Sequence, residues 1–414
     1  MKASAGLVRH AVSALAELLR FAAPADQALS AYFRQHRDLG QKDRAFVAEA
    51  AFAVLRRKRS LEAAAGSSEP AALVTAALVR VLGFSGRALD GLADSDLLAK
   101  LRGASKALPD AVRVDLPDWL WQRIEAENGR DEALRIAQGL LNPAPLDLRV
   151  NLARMTREQV LARLKQDGIE AAETRYSPAG VRLAGKPAIN NHALFRDGLI
   201  EVQDEGSQLL AWLVAPRRGE MIADYCAGAG GKTLALAMLM RGSGRVYALD
   251  VSAKRLAALG PRAARAQVNN IHSIALSGDN DARAKRLAGK LERVLVDAPC
   301  SGFGTLRRNP DLKWRHGATA IDELAEKQAR ILHAAARLVK PGGRLVYATC
   351  SILQEENEAI VEAFAAGAPQ FKALPCGALL AAQKIPLDTG ERLRLRPHLQ
   401  GTDAFFAAAF ERAS

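Results

Sequence analysis

The hydrophobic pattern divides the chain into a helical first third and an alternating remainder. Apolar residues recur at helical spacing from Gly6 to Leu19 and again from Ala45 to Leu55, so each segment is predicted to be an amphipathic helix with one face in a core. The same character continues along the chain as far as residue 140. We therefore predict an all-helical first domain over residues 1–140.

Two prolines in the four residues 142–145 mark the next boundary, because the residue before a proline is disfavoured in a helix. A short extended run follows, then a predicted helix over 156–166 that begins with a capping box at Thr156, then another short strand. This pattern indicates a small α+β (RRM-like) subdomain over residues 144–215.

From residue 216 to 414 the pattern alternates between strand and helix. Short apolar runs predict strands at 221–226, 244–250, 271–278, 293–298 and 343–349. Such alternation is typical of the α/β class, a doubly wound, mostly parallel Rossmann-like sheet with helices on both faces. Ligands of these sheets bind beyond the C-terminal ends of the strands. Residues 340–343, Lys-Pro-Gly-Gly, are predicted to form a tight turn before the last strand.

Composition and charge narrow the class of protein. Hydrophobic residues make up 49% and charged residues 25% of the 414, which is typical of a globular protein. The net charge of +13 favours a polyanionic partner, with nucleic acid ahead of a membrane or of a merely basic surface. No membrane span or cleavable signal is evident, and the four cysteines lack metal-ligand spacing. A monomeric cytoplasmic protein without a metal is expected.

The segment MIADYCAGAGGKT at 221–233 combines a predicted buried strand, a glycine turn and a helix start. Three residues of the turn lack a Cβ atom and would let backbone N–H groups approach a ligand: Gly228, Gly230 and Gly231. A phosphate-binding P-loop is the competing interpretation, but it would need glycine where Cys226 stands. Asp250 ends the next predicted strand, where a doubly wound fold places the carboxylate that binds ribose hydroxyls. Nucleoside or dinucleotide binding is therefore favoured.

Two cysteines stand at the ends of two successive predicted strands. Cys300 follows Asp297-Ala298-Pro299, and Cys350 follows Thr349. If these strands are neighbours, their ends lie about 4.8 Å apart, so both thiols could flank one small planar substrate. A lone cysteine is more often a small buried side chain, but two at adjacent strand ends, with Lys232 available to lower a thiol pKa, favour covalent catalysis. The residues alone do not decide which cysteine is the nucleophile.

The segments DYCAGAGGKT, ALDVS, SGD, DAPCSGFGTLRRNPDLKWR and YATCSILQEENE occur in this order. The series resembles the motifs of the RsmB/NOP family, RNA cytosine-C5 methyltransferases that use S-adenosylmethionine, and the members it is most similar to act on 16S ribosomal RNA. The resemblance covers about residues 200–414, while the first domain resembles the NusB-type RNA-binding module. One departure is that Gly228-Ala229 follows Ala227, so the proline that stiffens this loop in the family is missing.

The resemblance implies a role for each site residue. Cys350 matches the nucleophile that adds to cytosine C6, and Cys300 matches the residue that assists product release. Asp297 would bind the N3 and N4 edge of the base, and Lys232 would face both base and cofactor. The residues that the resemblance places around S-adenosylmethionine are Cys226, Ala227, Gly228, Ala229, Gly230, Gly231, Lys232, Asp250 at the ribose hydroxyls, Asp279 at the adenine amine, and Asp297.

Further expectations concern the residues around this site. Arg307, Arg308 and Lys313 would hold RNA phosphates while the target base is flipped out of its stack. The basic run at 56–59 would either face RNA or serve as scaffold, and residues 355–357 would cap or orient the helix after Cys350. Two alternatives stay open, a methyltransferase of the same type that acts on another RNA and an inactive RNA-binding assembly factor.

Overall fold

The structure, a computed structural model, describes residues 4–89, 91–103 and 107–414. These residues form two compact units, the first made of Met1–Pro143 with Thr305–Ala318 and the second of Ala144–Gly304 with Thr319–Ser414. Within the described residues, no helix combines the length and the apolar character that a membrane crossing would need. The assignment of Thr305–Ala318 to the first unit is not indicated by the sequence pattern.

The first unit is helical, as predicted. Its N-terminal part contains α1 (Ala5–Leu18), α2 (Ala25–Gln35), α3 (Gln41–Ala65), α4 (Pro70–Arg80), α5 (Ser95–Arg102), α6 (Asp110–Arg113), α7 (Asp118–Asn128) and α8 (Arg130–Leu141). The apolar faces of α1, α3 and α4 meet in one core, in which Leu15, Val47 and Leu73 are completely buried. Burial of such side chains contributes about 1.5–3 kcal/mol each.

Residues 305–318 pack against a kink in α3. The helix loses its regular geometry at Arg57 (φ −119°, ψ 27°). At this point Trp314 Nε1 donates a hydrogen bond to Leu55 O (2.7 Å), and Lys313 Nζ donates one to Arg56 O (2.9 Å). The segment thus supplies donors to carbonyl groups that the kink releases from the helical ladder.

This packing corrects the expectation that Arg307 and Lys313 hold RNA phosphates. Lys313 is 2% exposed and Arg307 is 7% exposed, and the Arg307 guanidinium donates to Pro143 O (3.2 Å). Both side chains are used inside the helical unit, so they are not available to RNA. The proposed contact of Arg308 stays a prediction. Part of the basic run is structural as well, because Arg59 forms an ion pair with Asp118 (2.6 Å).

The second unit begins with a small α+β region. Its elements are β1 (Leu146–Val150), α9 (Arg157–Gln166), β2 (Ala171–Glu173), β3 (Gly180–Leu183), α10 (Ala193–Arg196) and β4 (Ile200–Val202). The strands form an antiparallel sheet in the order β2-β3-β1-β4. The predicted capping box is confirmed, since Thr156 and Gln159 exchange hydrogen bonds at the start of α9.

The larger part of the second unit alternates strands with helices. The segment Thr305–Ala318, which belongs to the first unit, is an insertion in this part of the chain. The elements before the insertion are α11 (Glu205–Val214), β5 (Met221–Tyr225), α12 (Gly231–Leu239), β6 (Arg245–Asp250), α13 (Ala253–Ala257), α14 (Leu259–Ala266), β7 (Ile271–Ala275), α15 (Ala282–Lys285) and β8 (Leu291–Asp297). The insertion contributes α16 (Leu312–Arg315) to the first unit. The elements that follow are α17 (Ala318–Ala336), β9 (Val339–Thr349), α18 (Glu358–Gly367), β10 (Phe371–Leu374), α19 (Cys376–Ala381), β11 (Leu393–Leu395), α20 (Pro397–Gln400) and β12 (Phe405–Arg412).

These strands form an eight-stranded sheet in the order β10-β12-β9-β8-β5-β6-β7, with β11 paired to β12. Strands β5 to β9 are mutually parallel, and β10, β11 and β12 add antiparallel pairs at one side. Ile222 packs in a hydrophobic cluster on one face, while its neighbour Ala223 packs in a different cluster on the other. The predicted α/β class with a mostly parallel sheet covered on both faces is confirmed.

The sheet order fixes where a ligand can bind. Successive strands β5, β6 and β7 run toward one edge, whereas β8 and β9 lie on the other side of β5. The order in which successive strands are added to the sheet therefore reverses beside β5. Such a reversal leaves a crevice at the C-terminal strand ends. The predicted turn at 340–343 is wrong in one respect, because these residues form a bulge inside β9, where the register with β8 shifts.

Candidate active site

The glycine turn after β5 has the tight geometry that its sequence predicts. Cys226, Gly228 and Gly230 all have positive φ angles of 78°, 55° and 83°. A Cβ atom at Gly230 would lie 2.1 Å from Leu259 Cδ1, and one at Gly228 would lie 2.3 Å from the Arg255 guanidinium. Only glycine satisfies both the backbone conformation and the space at these two positions.

Two arginines that the sequence analysis missed hold the carbonyl groups of this turn. Arg149 of β1 donates to Gly231 O (2.7 Å), and Arg262 of α14 donates to Ala229 O (2.7 Å). Arg149 also contacts the side-chain oxygen of Gln203. Burial lowers the pKa of Arg149 to about 10, so the guanidinium is still charged at neutral pH. These two side chains therefore restrain the turn from two other elements.

Asp250 lies beside the turn, at the end of β6. Its carboxylate accepts hydrogen bonds from Gly228 N (2.8 Å) and Ser252 N (2.7 Å), and the residue is only 5% exposed. Two backbone donors therefore fix the orientation of the carboxylate. A glycine turn next to an oriented carboxylate at adjacent strand ends is the arrangement that holds a nucleoside in this type of sheet. The residues present fit S-adenosylmethionine.

Asp279 lies in the loop after β7. Its carboxylate is 3.7 Å from Arg330 Nε, and its backbone carbonyl accepts a hydrogen bond from Arg337 (3.2 Å). Asp281, two residues further on, accepts from Ser277 N (2.8 Å) and thereby closes the loop. Asp279 is thus oriented by a short, internally bonded loop, and its contact with adenine stays a prediction.

Lys232 and Asp297 form an ion pair between the start of α12 and the end of β8. Lys232 Nζ lies 2.7 Å from Asp297 Oδ2, and 12% of the lysine side chain and 29% of the aspartate side chain are exposed. Burial alone would lower the pKa of Lys232, but the Asp297 carboxylate outweighs this effect, and the pKa is raised overall. Lys232 is therefore a permanent cation at this edge of the sheet, positioned over the Phe405 ring at 5.8 Å.

A second buried carboxylate, on β5, lies next to the turn and bonds the helix that follows it. Asp224 of β5 is 1% exposed, and its Oδ2 accepts a hydrogen bond from Thr233 Oγ1 (2.6 Å). Burial raises the pKa of Asp224 to about 7. The same effect keeps Cys226 a neutral thiol, because burial raises its pKa far above the ordinary value. Cys226 therefore lines the site and is not a reactive group.

The two cysteines at the strand ends are in contact. Strands β8 and β9 are parallel neighbours, with Asp297 opposite Ala348, and the Sγ atoms of Cys300 and Cys350 lie 3.4 Å apart. A hydrogen bond from Gly304 N to Cys350 O (2.8 Å) fixes the second loop. The pKa of Cys300 is raised well above its ordinary value, first by its hydrogen bond with Cys350 and then by burial. The predicted juxtaposition of the two thiols is confirmed, and the environment of Cys300 disfavours ionisation of its thiol.

Of residues 355–357, which were expected to cap or orient the helix after Cys350, Glu356 and Asn357 use their side chains for other contacts, and the role of Glu355 stays a prediction. Glu356 is completely buried, and its carboxylate accepts hydrogen bonds from Ser301 N (2.7 Å) and from the side chain of Gln328 (2.9 Å). Asn357 occupies the N-cap position of α18 without capping it through its side chain, which instead donates to Ser351 O (3.2 Å). Serine follows each cysteine in the sequence, and this repeated Cys-Ser pair was the available signal for a shared partner.

Comparison with known proteins gives the chain its family. The family described as 16S rRNA methyltransferase RsmB/F matches residues 211–411, and the RsmF/B-like ferredoxin-like domain matches residues 116–190. A probable ribosomal RNA small subunit methyltransferase B of Bacillus subtilis is 34% identical over 73% of this chain and 67% of its own length. The corresponding enzyme of Proteus mirabilis is 39% identical over 60% of this chain and 58% of its own.

A solved structure agrees with these sequence matches. The crystal structure of a methyltransferase homolog from Pyrococcus horikoshii is 28% identical, with a TM-score of 0.63 over 73% of this chain and 97% of that protein. Among the described residues, no cluster of histidine, cysteine, aspartate or glutamate is arranged to hold a metal ion. The predicted cofactor, S-adenosylmethionine, is confirmed as the methyl donor. The chain belongs to the RsmB/F family of S-adenosylmethionine-dependent ribosomal RNA methyltransferases.

Proposed function

We propose that this protein methylates C5 of a cytosine in 16S ribosomal RNA, with Cys350 as the covalent nucleophile. The observation that carries the proposal is the contact of two thiols, Cys300 and Cys350, at the C-terminal edge of the sheet, with the Lys232–Asp297 ion pair at the same edge. The names of the relatives, which specify the small-subunit ribosomal RNA, support the choice of substrate.

The chemistry of cytosine explains why a thiolate is needed. C5 of a cytosine ring is too electron-poor to attack the electrophilic methyl group that S-adenosylmethionine supplies. Addition of the Cys350 thiolate to C6 forms an S–C bond and moves electron density to C5, which then becomes nucleophilic. The position of Cys350 at the end of β9 suits this role, because ligands of such a sheet bind beyond the strand ends.

Asp297 and Lys232 stabilise the base while the thiolate adds. Asp297 faces the N3 and N4 edge of the pyrimidine and accepts a hydrogen bond from the N4 amino group, and Lys232 keeps the Asp297 carboxylate in place at 2.7 Å. A carboxylate held by a buried cation is preorganised, so little reorganisation is needed during the reaction. Asp250 and the turn at 226–232 bind the cofactor, and Asp279 binds its adenine.

Product release needs the second cysteine. After methyl transfer the C5 proton passes to a water molecule of the solvent, its bonding pair restores the C5–C6 double bond, and the C6–S pair returns to Cys350 as a thiolate. Cys300 assists because its thiol lies within hydrogen-bonding distance of the departing sulfur. A Cys300→Ala variant should therefore complete addition and methyl transfer but release its RNA slowly.

This expectation gives the experiment. Cys300→Ala is expressed in cells and the extract is run on a denaturing gel, where a slow-migrating, nuclease-sensitive protein–RNA adduct is expected. The adduct should vanish in Cys300→Ala/Cys350→Ala, and sequencing of the attached RNA identifies the cytosine. The control is Cys376→Ala, a substitution at a completely buried cysteine outside the site, which should give no adduct.

Other outcomes would contradict the proposal in distinct ways. An adduct from Cys350→Ala but not from Cys300→Ala would reverse the roles of the two cysteines. An adduct that contains another RNA would change the substrate and leave the mechanism intact. No adduct from either variant, although both bind S-adenosylmethionine in calorimetry, would favour the inactive RNA-binding factor.

A further inference from the structure

Glu356 is a buried carboxylate that the mechanism above does not use. It lies six residues after Cys350 and is completely buried. Its two oxygens accept hydrogen bonds from four donors: Ser301 N (2.7 Å), Ser301 Oγ (2.5 Å), Ser351 Oγ and Gln328 Nε2 (2.9 Å). Four donors satisfy an ionised carboxylate, which otherwise costs several kcal/mol to bury.

The donors come from both cysteine loops. Ser301 is the residue after Cys300 and Ser351 is the residue after Cys350, and their hydroxyl oxygens lie 3.2 Å apart. One carboxylate therefore joins two loops that are 50 residues apart in sequence. The distance between the thiols depends on this link, because each thiol is only one residue away from a bonded serine.

The helix behind the loops completes the arrangement. Gln328 of α17 donates both to Glu356 and to Pro299 O (3.0 Å), which places it next to the Cys300 loop. Tyr347 of β9 donates its hydroxyl to the backbone carbonyl of Glu356 (2.7 Å) and hydrogen-bonds Gln328 (3.2 Å). Glu356 is thus bonded through its backbone to strand β9 and through its carboxylate to the long helix α17, and the carboxylate cannot follow one loop without moving the other.

We propose that Glu356 is a positioning residue that sets the spacing of Cys300 and Cys350 through Ser301 and Ser351 and holds a negative charge beside Cys300. This inference rests on the proposed function, which assigns Cys350 as the thiolate nucleophile. The four donors to Glu356 are uncharged groups, a backbone N–H, two hydroxyls and a side-chain amide, so these bonds leave its negative charge in place. That charge lies near Cys300 and contributes to the raised pKa of its thiol, after the effects of the Cys350 hydrogen bond and of burial.

The first test replaces Glu356 with an isostere of different charge. Glu356→Gln keeps the size of the side chain, removes the charge and turns one acceptor into a donor. We expect kcat for RNA methylation to fall about tenfold or more, while KM for RNA and the affinity for S-adenosylmethionine change less than about twofold. The matched control is Glu358→Gln, two residues further on, whose carboxylate pairs with Arg394 outside this network.

The second test does not depend on methylation. The rate at which iodoacetamide alkylates Cys300 is measured against pH by mass spectrometry of its peptide, in Cys350→Ala and in Cys350→Ala/Glu356→Gln. Removal of the negative charge should shift the alkylation profile of Cys300 to lower pH. Ser301→Ala, which keeps the charge but releases one donor, should give a smaller kcat loss and is the variant to use if Glu356→Gln does not fold.

The outcomes separate this inference from the proposed function. An unchanged alkylation profile together with an unchanged kcat in Glu356→Gln would overturn the positioning role. A loss confined to KM would also overturn it, since that would indicate a contact with RNA. If the Cys300→Ala adduct is absent but the alkylation profile shifts, the proposed covalent mechanism fails while the effect of Glu356 on Cys300 stands.

Discussion

The Sγ atoms of Cys300 and Cys350 lie 3.4 Å apart although 50 residues separate them in the chain. Two thiols in direct contact should be joined easily by a mild oxidant such as diamide, which accepts two electrons and two protons as the disulfide forms. We expect diamide to remove two free thiols and abolish methylation, and a reductant to restore both. Mass spectrometry locates the link. Cys300→Ser is the control, and a disulfide through Cys226 would contradict the geometry.

Asp250 should control cofactor affinity. Asp250→Asn removes the charge and replaces one oxygen with an NH2 group, so only one of the two backbone donors, Gly228 N or Ser252 N, keeps its acceptor and the ribose site loses a carboxylate. We expect the affinity for S-adenosylmethionine in calorimetry to fall about 10- to 100-fold. Glu362→Gln, which affects an exposed ion pair with Arg392, should leave the affinity unchanged. Equal affinities for the Asp250 variant and the parent would remove Asp250 from the cofactor site.

Thr233 is the hydrogen-bond donor that stabilises the buried Asp224 carboxylate. The pKa of Asp224 is raised by burial to about 7 from 3.8, so the folded state holds an extra proton between about pH 4 and 7, and the free energy of unfolding falls as pH rises through that window. Thr233→Val removes the donor and should cost about 1–3 kcal/mol at pH 8, with a smaller cost at pH 5.

Urea unfolding at the two pH values measures both costs. Thr75→Val is the matched control, because Thr75 is a buried threonine whose hydroxyl donates to the Ala71 carbonyl and not to a titrating group. Its cost should be the same at pH 5 and pH 8. Equal costs for Thr233→Val at the two values would show that Asp224 does not titrate in this range.

Lys313 should give the helical unit a second pH dependence, of opposite sign. Burial lowers the pKa of Lys313 to about 7 from 10.5, while Asp115 opposes this shift and Arg56 and Arg57 add to it. The unfolded chain binds more protons between about pH 7 and 10.5, so the free energy of unfolding rises with pH across that window.

Replacement of Lys313 by methionine tests this dependence. Lys313→Met removes both the titrating group and the hydrogen bond to Arg56 O. We expect the variant to be about 1–3 kcal/mol less stable than the parent at pH 9, with the difference shrinking toward pH 7. Thermal unfolding at pH 7, 8 and 9 provides the comparison. Lys58→Met, at a half-buried ion pair with Glu62, should give a constant difference.

The strand ends could be predicted from the sequence because the hydrophobic pattern repeats regularly from strand to strand. A buried apolar run followed by a polar residue identifies where a parallel strand ends, and all such ends lie along one edge of the sheet. This regularity predicts the positions of Asp250, Asp297 and Cys350 from the sequence alone. The contact of Cys300 with Cys350 followed from the single assumption that β8 and β9 are neighbours, which the register confirms.

The errors have a common physical cause. Lys313 and Glu356 are ionisable, and charged residues near a motif are usually exposed, so the sequence favoured a phosphate contact for one and a helix cap for the other. Both are buried because partners distant in the chain help to satisfy them, namely a carbonyl released by the kink in α3 for Lys313 and Ser301, 55 residues away, for Glu356. Hydropathy patterns do not encode such long-range partners.

The chain order of the helical unit has a consequence for synthesis on the ribosome. Leu55 O and Arg56 O receive their donors from Trp314 and Lys313, which are translated long after the rest of that unit. At about 5–20 residues per second, roughly ten to thirty seconds pass between residue 143 and the inserted segment. During this time Leu55 O and Arg56 O lack the donors that the inserted segment supplies. A nascent N-terminal fragment therefore lacks these two native hydrogen bonds until β5 to β8, half of the strands of the catalytic sheet, have also been made.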